Sequence, residues 1–214
     1  MARDTDPRYQ RVRARLTSAL LELAATKPAE TISVSELTSA AQVSRAAFYA
    51  HANSPAGLLA EVLINDLRPD FERFAAQVSL PDAVCTELWR QVYLALLKQV
   101  REHREVYANI VAQESAVSSA LTSYFEEVAL PYINAVAGKL EGDPPSRLWL
   151  TLARFQQAHS MMAVVRAWIA TDMEDPPEDV VDTYLTLAPP WQLARADEQG
   201  VTSFHRIRAV WESA

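Results

Sequence analysis

Three helix-start signals fall close together near the amino terminus, and they constrain the fold more than any other feature of the chain. Ser33 precedes Glu36 by three residues, the spacing of a capping box in which each side chain bonds a backbone N–H. Ser44 can cap a second helix. Ser54-Pro55 combines a cap with proline at the first helical position, where its missing N–H is not needed. Segment 33–59 therefore predicts two short helices joined by a tight turn, with a third helix following at once.

The two short helices need support, because helices of this length are unstable alone in water. We expect Phe48 on their inner face, together with the apolar residues Val34, Leu37, Ala40, Ala41 and Val43. A pair of this kind, with its second helix exposed, is the arrangement that places a helix end in the major groove of DNA.

The remainder of the chain is also predicted to be helical. Only 4 glycines occur in 214 residues, and no run alternates apolar and polar residues as a half-buried strand does. The spacing of apolar residues predicts helices over 7–26, from 55 onward, and over 84–103, 104–114, 117–139, 146–171 and 178–188, with a last one at 203–213. The predicted fold class is all-α, with a three-helix helix-turn-helix head at 1–53 and a larger helical bundle domain at 54–214.

Charge is unevenly distributed along the chain. Residues 1–52 carry seven basic and five acidic side chains, a net charge of +2. The whole chain has a net charge of −7, so residues 53–214 carry −9. A local basic surface is enough for phosphate attraction at physiological salt, and the acidic total therefore does not exclude DNA binding. The alternative is that the arginines near the amino terminus form an ordinary solvated helix face.

Composition also indicates the cellular compartment of the protein. Cys85 is the one cysteine, so no internal disulfide forms and a reducing compartment is favoured. No apolar run approaches the roughly 20 residues that span a bilayer. The first residues show no apolar signal region. We therefore expect a cytoplasmic protein with no membrane partner.

Segment 33–59 resembles the DNA-binding head of the TetR family of bacterial transcriptional regulators. The matching residues are Ser33-Val34, Leu37-Thr38, Ala41-Gln42-Val43-Ser44, Phe48-Tyr49, His51 and Ser54, with Leu58-Leu59 beyond. The resemblance implies a regulator, more often a repressor than an activator, that a small-molecule effector releases from a palindromic operator. Its implied partners are double-stranded operator DNA, the effector and a second copy of the chain.

Four positions depart from the family pattern. Gln42 stands where the turn usually has glycine, and Ala47 stands where a hydroxyl is common. Ala52 replaces an aromatic residue that supports the recognition helix, and Pro55 replaces a lysine that contacts phosphate. The loss of one phosphate contact should weaken DNA binding and flatten its salt dependence by about one unit.

The resemblance and the side-chain chemistry together assign seven residues to DNA contact: Ser33, Ser44, Arg45, Ala46, Ala47, Tyr49 and His51. The serines are helix caps first. Arg45 can bond a guanine edge or a phosphate, and the alanines offer only apolar contact to a thymine methyl. Tyr49 and His51 match family positions that contact phosphate. Such contacts fix the position of the protein on the DNA and do not discriminate between base sequences. The alternatives are a solvated arginine, a half-packed tyrosine and a surface imidazole.

The larger domain is expected, from the resemblance, to bind the effector and to dimerise. Residues 146–171 are apolar on more than one face, and such a helix must be buried on both sides. One side would face the core and the other a symmetry mate, in a four-helix arrangement with residues 178–188. A central helix of a monomer is the alternative. Two-fold symmetry matches operator half-sites roughly 34–36 Å apart or a multiple of that.

Aromatic and soft residues at helical spacing are the candidates for an effector site: Trp89, Tyr93, Tyr107, Phe125, Phe155, His159 and Met162, with Trp168 sharing the pattern. Stripes of this kind are more often simple core than the lining of a binding cavity. His159 stands out, because a buried imidazole needs a partner that either a ligand or a neighbouring helix can provide. We expect a mostly apolar, aromatic effector.

No residue pattern supports catalysis, a cofactor or a metal site. The glycines are too widely spread for a phosphate-binding loop, and the four histidines and one cysteine form no ligand cluster. Two other readings stay open. One is a helical small-molecule-binding protein whose head no longer engages DNA, and the other is a helical enzyme, which no residue supports.

Overall fold

The computed structural model describes residues 6–78, 85–138 and 144–193, and within these ranges every regular element is a helix. In chain order the helices are α1 (Pro7–Ala24), α2 (Val34–Ala40), α3 (Arg45–Tyr49), α4 (Pro55–Val78), α5 (Cys85–Glu102), α6 (Arg104–Val111), α7 (Ala116–Ala137), α8 (Arg147–Ala170), α9 (Pro177–Leu187) and α10 (Pro190–Leu193), with a 3₁₀ turn at Ala29–Thr31. The all-α prediction is confirmed. The helix predicted at 203–213 lies outside the described residues.

Serine caps start α2, α3 and α4, as the sequence predicts. Ser33 Oγ and Ser44 Oγ each accept a hydrogen bond from the backbone N–H three residues later, at 3.1 Å. Ser54 Oγ does the same at 3.0 Å. Each bond satisfies one of the N–H groups that a helix start leaves without a partner.

The capping box of α2 forms in one direction. The Glu36 backbone N–H donates to Ser33, but the Glu36 carboxylate accepts from Lys27 Nζ at 2.6 Å. This hydrogen bond is the largest cause of the lowered pKa of Glu36. Lys27 therefore takes the carboxylate that the sequence prediction assigned to the Ser33 N–H, because a charge-assisted bond is stronger than a bond to a neutral amide.

The longer helices begin and end close to their predicted bounds. Helix α1 ends at Ala24 rather than at 26, and α5 spans Cys85–Glu102 where the pattern predicts 84–103. Pro69 lies inside α4 and Pro131 inside α7, and neither proline ends its helix. In the described ranges, no helix combines the length and apolar character that crossing a membrane requires.

The chain forms two compact units. The first comprises residues 1–66 and 99–122, and the second comprises residues 67–98 and 123–214. Helices α4, α5 and α7 each contribute residues to both units. The domain boundary predicted between residues 53 and 54 remains a prediction.

Two hydrogen bonds inside the first unit join the amino-terminal elements to later helices. Asn109 Nδ2 of α6 donates to the carbonyl of Ala24, at the end of α1, at 2.9 Å. The Glu30 carboxylate, in the 3₁₀ turn, accepts from the Ala116 N–H at 2.9 Å and so caps the start of α7. The helix-turn-helix segment is therefore part of a larger hydrogen-bonded unit.

Candidate functional site

Helix α3 presents one buried side chain and several exposed ones. Phe48 is fully buried, whereas the neighbouring Tyr49 is 59% exposed. Arg45 and Ala46 are also exposed, and Ala47 is half-buried. The predicted position of Phe48 on the inner face is confirmed, although Ala40, assigned to the same face, is exposed. An arginine and a tyrosine therefore project from the outer face of a helix that a phenylalanine anchors.

The guanidinium of Arg45 has a partner on the preceding helix. Its Nη2 donates to Ser35 Oγ of α2, and both residues are exposed. An arginine carries five N–H donors, so one bond leaves capacity for a base edge or a phosphate. The bond to Ser35 holds the side chain on the outer surface shared by α2 and α3.

The turn between α2 and α3 contains Gln42 in the left-handed conformation, with φ of 51°. A residue with a Cβ pays about 1–2 kcal/mol for this conformation. Arg15 Nη2 donates to Gln42 Oε1 at 3.0 Å, which offsets part of the strain. Gln42 therefore keeps the turn that glycine would make without strain.

His51 lies half-buried just after α3. Its ring stacks on that of Tyr9, with centroids 3.8 Å apart, and Arg13 Nη1 donates to the His51 carbonyl at 3.3 Å. Burial and then the positive charge of Arg13 lower the pKa of His51, and Glu61 opposes them. The imidazole is therefore neutral at physiological pH. Its Nδ1 is buried and has no hydrogen-bond partner in the described part of the chain.

An apolar face runs along the outside of α8. Leu148, Leu152 and Phe155 are 67%, 57% and 43% exposed. Further along the same stripe the exposed residues are Ala163, Arg166 and Ala170. The opposite side of α8 is buried in the second unit, as the sequence predicts for a helix that is apolar on more than one face.

A groove of about 420 Å³ lies between α8 and α9 in the second unit. Ala163 and Ala167 are among the residues that line it from α8, and Val180, Tyr184 and Leu187 line it from α9. Leu187 is 77% exposed. The groove therefore continues the apolar face of α8 onto α9.

The residues predicted for effector binding are not brought together in one site. Trp89 and Tyr93 share a buried cluster in the second unit, with ring centroids 6.2 Å apart. In the same unit, Phe125 stacks on Phe71 at 5.7 Å, and Met162 is buried. The assignment of these residues to ligand contact remains a prediction, and Phe125 is already packed as core.

Tyr107 belongs to the first unit, where it is fully buried. Its hydroxyl donates to Gln99 Oε1, and Gln99 Nε2 donates to the carbonyl of Leu63 at 2.9 Å. Burial raises the pKa of Tyr107. These protein partners account for the tyrosine hydroxyl without a ligand.

Phe155 and His159 lie on the exposed face of α8, so the expectation of a buried imidazole is wrong. His159 Nδ1 is 2.8 Å from the carbonyl oxygen of Phe155, one turn earlier. The helix itself therefore supplies a hydrogen-bond partner. Sequence reasoning failed here because α8 has apolar residues on both its buried and its exposed side, so apolar neighbours do not indicate burial.

The second unit contains a buried group of rings and amides that we call the aromatic–amide cluster. Its members are Phe74, Trp89, Tyr93, Tyr132, Gln157, Tyr184, Trp191 and Gln192. The ring centroids of Tyr93 and Tyr184 are 4.5 Å apart, and those of Trp89 and Tyr132 are 5.0 Å apart. Six helices contribute: α4, α5, α7, α8, α9 and α10.

Hydrogen bonds connect the polar groups of the cluster. Gln157 Nε2 donates to the Tyr93 hydroxyl at 3.4 Å. The Tyr184 hydroxyl donates to Gln192 Oε1, and the Tyr132 hydroxyl donates to the Gln192 carbonyl, each at 2.9 Å. Burial raises the pKa of Tyr93 and of Tyr184, so both hydroxyls stay protonated and uncharged.

Three polar atoms of the cluster are buried without a hydrogen-bond partner among the described residues: Trp89 Nε1, Gln157 Oε1 and Gln192 Nε2. Each such atom costs about 1–3 kcal/mol. Native interiors pair most of their buried polar groups, so three exceptions in one cluster need an explanation. Apolar walls with a few placed polar groups are the composition of a small-molecule site.

Sequence reasoning found Trp89 and Tyr93 but missed the other members of the cluster. Gln157 carried a signal, because it is a polar residue on a helix whose other buried members are apolar. Gln192 carried none, since it follows a proline pair near the weakly patterned end of the chain. Among the described residues, no three His, Cys, Asp or Glu side chains are placed to hold a metal ion.

Comparison with known families supplies an independent observation about the part of the chain that follows the helix-turn-helix segment. Residues 87–189 match the TetR_C_8 family model, which is described as "Transcriptional regulator C-terminal region". The match begins beyond the segment 33–59 that carries the helix-turn-helix motif, so the two observations do not overlap. The chain is therefore similar to TetR-type transcriptional regulators in two separate segments. Comparison with the curated proteins gives no match.

Solved structures of TetR regulators share the fold. A TetR transcriptional regulator from Streptococcus agalactiae matches with a TM-score of 0.58 and 18% identity, over 87% of this chain and 98% of that one. A putative TetR-family regulator from Shewanella sp. PV-4 matches with a TM-score of 0.58 and 14% identity, over 82% and 95%. FadR from Bacillus subtilis, in complex with stearoyl-CoA, matches with a TM-score of 0.56 and 14% identity, over 81% and 96%.

Proposed function

We propose that this chain is a homodimeric TetR-type repressor that binds a palindromic operator through α3 and leaves it when a small-molecule effector binds. The observation that carries the DNA part is the exposure of Arg45 and Tyr49 on a helix whose Phe48 is fully buried. A short helix fixed on its inner face and polar on its outer face can enter a major groove as a rigid element.

Arg45, Tyr49 and His51 are the polar contacts. Arg45 reaches a guanine edge with the donors that Ser35 does not use. The hydroxyl of Tyr49 donates to phosphate, and neutral His51 donates its one N–H to a second phosphate. The half-buried position of His51 restricts it to a phosphate close to the protein surface.

Ser33, Ser44, Ala46 and Ala47 complete the proposed contact surface. The two serine hydroxyls are used as caps, and as exposed groups they can also donate to phosphate oxygens. Ala46 is exposed and suits a thymine methyl, whereas half-buried Ala47 offers a smaller surface. Few side chains then read bases directly, so DNA shape contributes to operator choice.

The second copy of the chain is proposed to cover the apolar face of α8 and the groove beside α9. Leucines at 148, 152 and 187 stay exposed in the single chain, and clusters of exposed leucine of this kind mark interaction surfaces. Large apolar side chains at one end of α8 and alanines on either side of Arg166 at the other suit an antiparallel copy, in which large residues meet small ones. Two-fold symmetry then gives two copies of α3.

Effector release is proposed to work through coupled equilibria. The bonds from Asn109 to Ala24 and from Ala116 to Glu30 give the first unit a means of passing a shift of α6 or α7 to the head. FadR, which shares this fold, was solved with stearoyl-CoA, so a small-molecule effector suits the architecture. To move operator occupancy from 99:1 to 1:99, the effector must prefer the free state by about 5.5 kcal/mol.

The DNA assignment is tested by gel shift on DNA flanking the chain's own gene, at several salt concentrations. Arg45→Ala should weaken binding by about 1–3 kcal/mol and relax the preference at one base pair. Arg73→Ala removes another exposed arginine, in the second unit, and serves as the matched control. If the two variants bind alike, Arg45 is not a DNA contact.

The dimer is tested by sedimentation of Leu152→Asp. A carboxylate on the proposed interface should convert the dimer to a monomer and abolish operator binding, since a single head has half the contacts. Leu130→Asp, on the 36% exposed Leu130 of α7, is the control and should stay dimeric. A dimeric Leu152→Asp would move the interface elsewhere.

A helical ligand-binding protein whose head has lost DNA binding is the second candidate. The bond between Arg45 and Ser35 favours it, because that bond engages the proposed base-reading side chain within the protein. Ser35→Ala separates the two. It should strengthen operator binding if Arg45 reads DNA, and it should change nothing if the head is inactive.

A further inference from the structure

We infer that the effector is an uncharged, flat aromatic molecule that carries both a hydrogen-bond donor and an acceptor and binds in the aromatic–amide cluster. This inference rests on the proposed function, since it names the chemical class of the effector that the function requires. It is carried by the unpartnered atoms of Trp89, Gln157 and Gln192 and by the rings around them.

The three unpartnered atoms define which hydrogen-bonding groups the ligand must have. The indole Nε1–H of Trp89 and the amide Nε2–H of Gln192 are donors, so the ligand must present acceptors. Gln157 Oε1 is an acceptor, so the ligand must also present an O–H or N–H. Gln157 is completely buried, and Gln192 and Trp89 are each 2% exposed, so bulk solvent does not reach these residues.

The rings of the cluster determine the shape of the ligand. Trp89, Tyr93, Tyr132, Tyr184 and Trp191 lie in pairs with centroid separations of 4.5–6.2 Å. Aromatic faces and edges at such distances favour another ring, in an offset or edge-to-face arrangement. A saturated chain would fill the same volume with fewer favourable contacts.

The cluster also determines the charge of the ligand. Its eight members include no acidic, basic or histidine side chain, and its tyrosine hydroxyls stay protonated. A charged ligand placed there would lose its hydration without gaining a counter-charge. The phosphates of a coenzyme A thioester therefore have no partner in the cluster, in contrast to what the FadR complex with stearoyl-CoA would suggest.

Binding in the cluster requires its packed rings to separate. Helix α10 is joined to the other helices of the cluster through Gln192, which accepts from Tyr132 and Tyr184, and through Trp191 Nε1, which donates to Gln156 at 3.3 Å.

The test measures binding to the full-length protein without DNA, by calorimetry at a mildly acidic pH. The probes are 7-hydroxycoumarin, which is flat and un-ionised there and has both a hydroxyl and a carbonyl, and coumarin, which lacks the hydroxyl. Coumarin-3-carboxylate and stearoyl-CoA are the charged probes. We expect 7-hydroxycoumarin to bind, coumarin to bind about tenfold more weakly because Gln157 Oε1 stays unpaired, and the charged probes not to bind.

The Gln157→Leu variant tests whether the Gln157 amide contacts the ligand or only stabilises the fold. The variant should bind 7-hydroxycoumarin with about tenfold lower affinity, and its affinity for coumarin should be nearly unchanged. The ligand-free variant should melt at the same temperature or higher, because a buried oxygen without a hydrogen-bond partner has been removed. Gln91→Leu makes the same substitution at an exposed position outside the cluster and should change neither quantity.

Three results would overturn the inference: neither uncharged probe binds, a charged probe binds more tightly than both, or Gln157→Leu lowers the melting temperature without changing affinity. Operator binding is assayed separately on the same protein. A chain that binds 7-hydroxycoumarin but no DNA refutes the proposed function alone, and a chain that binds operator but none of the uncharged probes refutes only the inference.

Discussion

The recognition segment and the aromatic–amide cluster are built in opposite ways. In the recognition segment, capping bonds join residues three apart in sequence, and the functional side chains are exposed. In the cluster, hydrogen bonds join residues 60 and 64 apart, and the polar atoms are buried. The first region is a preformed surface for a large charged partner, whereas the second keeps unsatisfied polar groups away from water. The difference matches the tasks proposed for each, which are to dock on DNA and to discriminate a small molecule.

The largest effect is expected from the anchor of the recognition helix. Phe48→Ala should lower the free energy of unfolding by about 3–5 kcal/mol, because a fully buried ring leaves a cavity. Tyr49→Ala, at the adjacent exposed position, should change it by no more than about 0.5 kcal/mol while reducing operator affinity. Urea denaturation measures both. Similar stability losses in the two variants would mean that α3 is not anchored on one side only.

A smaller effect is expected in the cluster. Tyr93→Phe removes the hydroxyl to which Gln157 Nε2 donates, so a second atom of Gln157 loses its partner. We expect a loss of about 1–2 kcal/mol in the free energy of unfolding. Denaturation of Tyr93→Phe, Gln157→Leu and the double variant shows whether the two residues are coupled. If the changes in unfolding free energy of the two single variants simply add in the double variant, the two residues are not coupled and the cluster behaves as an ordinary core.

In the turn before α3, a substitution is expected to raise the free energy of unfolding rather than lower it. Gln42→Gly relieves the strain of a positive φ, and after the greater freedom of the unfolded chain is subtracted we expect a gain of about 0.5 kcal/mol. Gln42→Ala keeps the strain and loses the bond from Arg15, so it should give no gain. A stabilised Gln42→Ala would show that the left-handed conformation is not strained.

The smallest effect concerns pH and His51. The pKa of His51 is lowered in the folded chain, mainly by burial, so the unfolded chain binds the proton first as pH falls. The stability contributed by the neutral ring is present above about pH 6.5 and is lost below it. His51→Phe, which retains the ring beside Tyr9, should show a smaller decrease in melting temperature between neutral and mildly acidic pH. An unchanged decrease would assign the pH dependence to other groups.

The same contrast explains what could be predicted from the sequence. Caps at Ser33, Ser44 and Ser54 act within one helical turn, and amphipathic spacing marks each long helix, so the all-α fold and the anchor Phe48 followed from local pattern. The partners of Gln157 and Gln192 lie on other helices, and no local pattern specifies them. His159 was misplaced for a related reason, because the second apolar face of α8 is exposed among the described residues.

Enrichment of operator DNA from random sequence tests the central claim most directly. We predict a palindrome whose half-sites are separated by about one helical turn or a multiple of it and which the dimer binds; in Arg45→Ala the enrichment should be weaker and the preference at one base pair should be relaxed. Enrichment of no sequence above background, or equal enrichment by the Arg45→Ala protein, would contradict the account.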